Sequence, residues 1–167
     1  MTGKDMAAPT LKWGHININV SNLEDSISFY EKLGFSMIIP GIPYLGIERD
    51  SGNPVPSAQA EALGIPENST ARACIMQLDE GFPKIDLTEF AKDSPQPAGT
   101  NDDLGMVRLC LATQNLAEDY ESLLKAGVEF LSAPTEGVKG MADIALCKDP
   151  DGTLIELIEV HFEKWRN

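Results

Sequence analysis

Four side chains in this sequence could do chemistry together: His15, Asp86, Arg108 and Glu156. An offset of 93 residues carries His15 onto Arg108, and an offset of 70 carries Asp86 onto Glu156, so the four occupy equivalent positions in two copies of one pattern. An imidazole titrates near neutrality and is a natural general acid or base. Two carboxylates on one face repel each other, and a guanidinium between them relieves that while depressing their pKa values. Arg108 stays protonated and has no lone pair, so it cannot ligate a metal. It can grip a carboxylate, enolate or phenolate through one N–H edge, or neutralise Glu156 in a buried ion pair.

The elements that must position these groups are readable from periodicity. Residues 13–20 alternate, with Gly14, Ile16, Ile18 and Val20 on one face and Trp13, His15, Asn17 and Asn19 on the other, the pattern of a half-buried strand. Ser21 and Glu24 form a capping-box pattern ahead of a helix marked by Leu23, Ile27, Tyr30 and Leu33, and Gly34 is placed to end it in a left-handed turn. Short strands are predicted over 35–39, 71–78 and 84–90. Between the first two lies a stretch rich in proline and glycine, about residues 40–70, with a short strand over 44–49 and a helical turn over 57–63. Loops this long in compact domains are usually functional. Tyr44, Glu48, Arg49 and Phe82 lie on or near it and are candidates to cover the site.

The pattern then repeats. Residues 91–105 read as a linker, 106–113 as an alternating strand carrying Arg108 and Cys110 on one face, and Asn115 and Leu116 open a helix that ends at Gly127. Phe130 and Leu131 suggest a short strand. Strands over 141–148 and 153–160 form a hairpin across Asp149-Pro-Asp-Gly152, a strong turn signal. The offset of 93 also maps Asn22 on Asn115, Leu23 on Leu116 and Gly34 on Gly127; the drop to 70 at the hairpin places 23 extra residues in the loop-rich insertion. The chain is thus read as a tail over 1–12, a first βαβββ module over 13–90, a linker over 91–105, a second module over 106–160 and a C-terminal tail over 161–167, with His161 at the surface.

Composition bounds the partners. The formal net charge of −13 repels phosphate backbones and anionic lipid, so neither nucleic acid nor a membrane is an expected partner. The three cysteines, Cys74, Cys110 and Cys147, are widely spaced and odd in number, which argues for reduced thiols rather than a disulfide framework. With no apolar leader or membrane-length run, the expected location is cytoplasmic.

A duplicated βαβββ unit that begins Gly-His-Ile-x-Ile-x-Val, ends its helix in Leu-Gly-Phe and closes on Asp-Pro-Asp-Gly-Thr-Leu-Ile-Glu-Leu resembles the vicinal oxygen chelate superfamily of glyoxalases, bleomycin-resistance proteins and extradiol dioxygenases. The resemblance implies an α+β fold in which the tandem modules form a curved, cup-like mixed sheet with helices on its outer face, and a homodimer. It implies up to four metal ligands at the positions of His15, Asp86, Arg108 and Glu156. Because arginine cannot ligate, His15, Asp86 and Glu156 remain, an N/O set suited to Zn, Ni, Co, Mn or Fe. The competing reading has no metal: Arg108, with Asn17 and Cys110 beside it, binds the substrate while His15 and Glu156 move the proton.

Two functions follow. One is a lyase, isomerase or epimerase acting on a small oxygenated organic substrate through an enolate-like intermediate; an extradiol dioxygenase is disfavoured because only one histidine lies in register. The other is a non-catalytic protein of the bleomycin-resistance type that sequesters a small organic molecule. No nucleotide cofactor is expected in either.

Overall fold

A computed structural model describes residues 11–92 and 96–165. Most of the expected N-terminal tail lies outside the described residues. The first strand, β1 (His15–Val20), is followed by α1 (Leu23–Lys32) and β2 (Ser36–Ile39). An excursion follows with three two-residue strands, β3 (Gly41–Ile42), β4 (Ile47–Glu48) and β5 (Asn53–Pro54), and the helix α2 (Ser57–Leu63). Then come β6 (Thr70–Gln77) and β7 (Lys84–Phe90). The second half holds β8 (Arg108–Ala112), α3 (Leu116–Lys125), β9 (Phe130–Glu136), β10 (Ala142–Lys148) and β11 (Leu154–Val160).

The fold is α+β, and its two halves share a topology. One sheet runs β1-β7-β6-β2, with β5 added against β6, and the other runs β8-β11-β10-β9. In each, the first strand pairs in parallel with the last, while the remaining neighbours are antiparallel. A two-stranded sheet of β3 and β4 completes the described strands, and no backbone ladder joins the sheets of the two halves among the described residues. They are united by one apolar core. Leu23, Ile27 and Tyr30 of α1, Leu116 of α3, Ile18 and Leu87 from the first sheet, and Ile155 and Leu157 from the second belong to the same buried cluster. Burying that surface supplies the main drive for docking the halves, since apolar area removed from water contributes about 25 cal/mol per Å².

The duplication is visible at the helix starts. Asn22 and Asn115 each cap their helix, accepting from the backbone N–H three residues on at 3.1 Å. Ser21 does not cap: its N–H donates to Asp151 at 2.9 Å, and Glu24 is drawn off by Arg49 at 2.7 Å. A second carboxylate serves each helix, Glu89 accepting from the Leu23 N–H at 2.6 Å and Glu159 from the Leu116 N–H at 2.8 Å. Negative charge at a helix N-terminus meets both free N–H groups and the positive end of the dipole. Both helices end as the sequence predicts, on Gly34 (φ 94°) and Gly127 (φ 84°). Replacing Asn22 by alanine removes one of two acceptors at its helix start and is expected to cost about 1 kcal/mol; chemical denaturation checks it, and an unchanged midpoint would show that Glu89 suffices alone.

The segment that follows β11 packs on the second sheet. Trp165 donates its indole N–H to the Met141 carbonyl at 2.9 Å, and His161 Nε2 lies 3.0 Å from Asp143. His161 is thus partly buried against Asp143, not a free surface residue, because the turn over Phe162–Lys164 folds the strand end back onto β10.

Candidate functional site

Alternation along β1 sends Ile18 and Val20 into the core and turns His15, Asn17 and Asn19 the other way. Parallel pairing with β7 sets Asn17 beside Asp86 and Asn19 beside Thr88. The same face of the first sheet therefore carries His15, Asn17, Asn19, Asp86, Thr88 and Phe90. These residues form one wall of a cavity of about 410 Å³. The opposite wall is the excursion, which contributes Tyr44, Leu45, Ile47 and the segment from Leu63 to Pro66.

The excursion is held there by its own small core. Ile42, Leu45, Ile47, Val55 and Ala60 pack with Ala71 and Ala73 of β6, and Ile65, Ile75 and Phe90 extend that cluster. Small alanines on β6 let the excursion approach the sheet. Gly46, at φ 65°, closes the short turn that presents Tyr44.

At the His15 end of the cavity three side chains meet. His15 Nε2 lies 3.4 Å from Asp86 Oδ2, and the Tyr44 hydroxyl is 3.4 Å from both. Asp86 is 1% exposed, and its Oδ1 has no hydrogen-bond partner. Burial pushes the Asp86 carboxyl above its usual range, against the pull of the His15 charge and the Tyr44 hydrogen bond. Burial also pushes the Tyr44 phenol up, and the Asp86 charge adds to that. These contacts are long for charge-assisted hydrogen bonds. A buried carboxylate this thinly partnered is costly to the fold, which is the usual mark of a group kept for function.

Along the rest of the wall runs a directional chain. Thr88 donates its hydroxyl to Asn17 Oδ1 at 2.9 Å, and Asn17 donates its amide to Asn19 Oδ1 at 2.9 Å. Asn17 thus spends its donor and acceptor on neighbours.

Arg108 and Glu156 sit on the second sheet. Their ion pair is closed at 2.5 Å, and Arg108 also donates to Asn101 at 3.1 Å. Their side chains are 42% and 18% exposed, so the pair is more open than a buried bridge. Neither borders the cavity holding His15 and Asp86. Arg108 instead borders a neighbouring cavity of about 280 Å³ that shares Asn17 and Asn19 with the first. Cys110 is exposed beside Glu156, and partial burial together with the Glu156 charge raises its thiol pKa. Cys74 and Cys147 are buried, and burial pushes their thiols up to about 12 and about 11.

The four residues are therefore brought together as two pairs, His15 with Asp86 and Arg108 with Glu156. Of the excursion candidates, Tyr44 joins the site. Glu48 accepts from Ser51, Arg49 pairs with Glu24, and Phe82 is exposed against Lys84. Thr88 was not singled out by sequence, although its alternation with Asp86 places it on the same face.

A divalent metal was tested against the donor set. His15 and Asp86 supply one nitrogen and one carboxylate, but the third expected ligand, Glu156, lies on the other sheet and is held by Arg108. Among the described residues no group of three or more His, Cys, Asp and Glu side chains is arranged to hold a metal ion. This arrangement does not fit the ion.

Two halves of one βαβββ topology, with polar side chains on the sheet face turned away from the core, define the class of fold. The sequence profile of the Glyoxalase/Bleomycin resistance protein/Dioxygenase superfamily matches residues 12–157, and the chain belongs to that superfamily. Solved structures agree on the fold. A glyoxalase family protein from Bacillus cereus superposes with a TM-score of 0.69 at 18% identity, covering 96% of this chain and 99% of that one. A superfamily member from Sphaerobacter thermophilus gives 0.60 at 21% identity, with 90% and 99% covered. A glyoxalase I variant from Zea mays gives 0.59 at 19% identity, covering 88% of this chain but 44% of the maize chain. A search of curated protein sequences gives no match.

Proposed function

We propose that the chain binds a small oxygenated organic molecule in the first-module cavity and moves a proton on it, as an isomerase, epimerase or lyase acting through an enolate-like intermediate. The observation that carries this reading is the contact of His15 with a buried, thinly partnered Asp86 in the cavity wall. An Nε2–H donated toward Asp86 fixes the histidine tautomer and leaves Nδ1 as the basic nitrogen; the carboxylate then stabilises the imidazolium that forms.

The step balances without an oxidant. His15 takes a proton from the carbon beside a substrate carbonyl, the C–H electron pair becomes the new C=C bond, and the carbonyl pair moves onto oxygen. Tyr44 is the nearest side-chain hydroxyl able to donate to that oxygen. Return of the proton to the opposite face gives an epimer, and return to the adjacent atom gives an isomer. Glu156, tied to Arg108 outside this cavity, takes no part in the proposal.

Hydrogen–deuterium exchange at carbon tests it directly. The protein in D₂O with a panel of enolisable carbonyl compounds is expected to exchange the proton beside the carbonyl, and His15→Gln to slow that by about a hundredfold or more. Saturable binding with no exchange on any member would replace catalysis by sequestration.

A further inference from the structure

We infer that the ligand is a keto acid whose enolisable carbonyl lies at His15, Asp86 and Tyr44 and whose carboxylate lies at the other end of the same cavity, on Asn19 and Lys92. The inference rests on the proposed site and adds what its far end would recognise. Three observations converge there.

The first is the polarity of the hydrogen-bond chain. Thr88 donates to Asn17, and Asn17 donates to Asn19, so the acceptor of Asn19 is used and its amide N–H groups are left to give. Among the described residues these two donors have no acceptor. The chain therefore delivers hydrogen-bond donors to one end of the wall, while the other end holds the Asp86 carboxylate.

The second is charge. Lys92 continues the alternation of Asp86, Thr88 and Phe90 and borders the same cavity. Among the described residues it has no ion-pair partner, although the chain carries a net charge of −13. Asn19, Phe90 and Lys92 also border an adjoining cavity of about 330 Å³, whose further wall holds Asp151. That carboxylate accepts from the Ser21 N–H and repels an anion, which keeps a ligand's charged end on the Lys92 side. Arg108, the other cation nearby, is already neutralised by Glu156.

The third is spacing. His15 and Asn19 are four residues apart on one strand face, which at about 3.3 Å per residue is roughly 13 Å. Leu45, Ile47 and Ile65 give the same cavity an apolar wall, and Phe90 lies past Asn19 on the way to Lys92. The ligand that fits is a linear or singly ringed body with several carbons between carbonyl and carboxylate. A short acid carrying both groups side by side cannot reach both ends.

Calorimetric titration with 7-oxooctanoate, its methyl ester and the shorter levulinate tests this. The long acid is expected to bind about tenfold tighter than its ester, from a charge-assisted contact, and tighter than levulinate by a similar factor. Lys92→Met should erase the acid–ester difference, and added salt should shrink it. His15→Gln should leave that difference intact while slowing carbon exchange about a hundredfold, so an absence of exchange in the wild-type chain counts against the catalytic reading alone and not against this one. Equal binding of acid and ester, equal binding of long and short acids, no binding of any of them, or a preference that is lost on Arg108→Gln but survives Lys92→Met would each overturn the assignment.

Discussion

Asp149→Ala lowers the stability of the folded chain by about 3 kcal/mol, the expected size for emptying a buried carboxylate that several donors share. Asp149 is 2% exposed. Its Oδ1 accepts from the backbone N–H groups of Asp151 at 3.0 Å and Thr153 at 2.8 Å, which shapes the β10–β11 turn around Gly152. Its Oδ2 accepts from the Tyr30 hydroxyl at 3.0 Å, and Tyr30 is a fully buried residue of α1 in the other half. One side chain therefore closes the second module's hairpin and docks the first module's helix on it. Removing it strands the Tyr30 hydroxyl in an apolar core between Phe29 and Phe35. Asn in its place keeps an acceptor and should recover part of the loss. Tyr30→Phe on the alanine background should cost little more, since the two groups serve one bond. Urea unfolding of these three variants beside wild type measures this, and a loss below about 1 kcal/mol for Asp149→Ala would mean the core docks the halves without the hydrogen bond.

The residues of that turn illustrate what the sequence could disclose. Asp149-Pro-Asp-Gly152 announced a turn because Asp and Gly favour that backbone locally, but nothing local pointed to Tyr30, 119 residues away. The repeat was more informative. Period-two alternation put His15, Asn17 and Asn19 on one face, and the two offsets led to Asp86 and Glu156 and paired Asn22 with Asn115. Capping by Asn22 instead of Ser21 was missed because both fit an N-cap locally; the choice is made by Asp151, which takes the Ser21 N–H from the second module. The excursion was least legible. Its prolines and glycines carry no periodicity, so Tyr44 could be suspected but not placed. Its position follows from Ile42, Leu45 and Ile47 finding Ala71 and Ala73, a contact between non-local surfaces. For the same reason, equivalence in the repeat could not say that the four functional candidates would separate into two pairs. The sheets meet through the shared core, and the offsets describe only each sheet by itself.

Asp86→Asn separates function from stability at the centre of the site, and the two effects run in opposite directions. Burial raises the Asp86 carboxyl, and His15 and Tyr44 recover only part of that. A carboxyl raised on folding holds its proton more tightly in the folded chain than in the unfolded one. Its contribution to stability is fully present below the ordinary carboxylate value and is lost as pH rises through the raised one. Ionised, the Asp86 side chain is a buried charge with one unpartnered oxygen. Asparagine keeps the shape and cannot ionise. The variant is expected to be about 1 kcal/mol more stable than wild type at pH 7, with the advantage vanishing toward pH 4. Carbon exchange should fall by about a hundredfold over the same range, because a neutral amide cannot stabilise the imidazolium of His15. Denaturation midpoints across pH and exchange rates on the same preparations provide both readings. A variant that is less stable at every pH would make Asp86 a structural residue. One that keeps its exchange rate would leave His15 acting alone, with the carboxylate a bystander in the cavity wall.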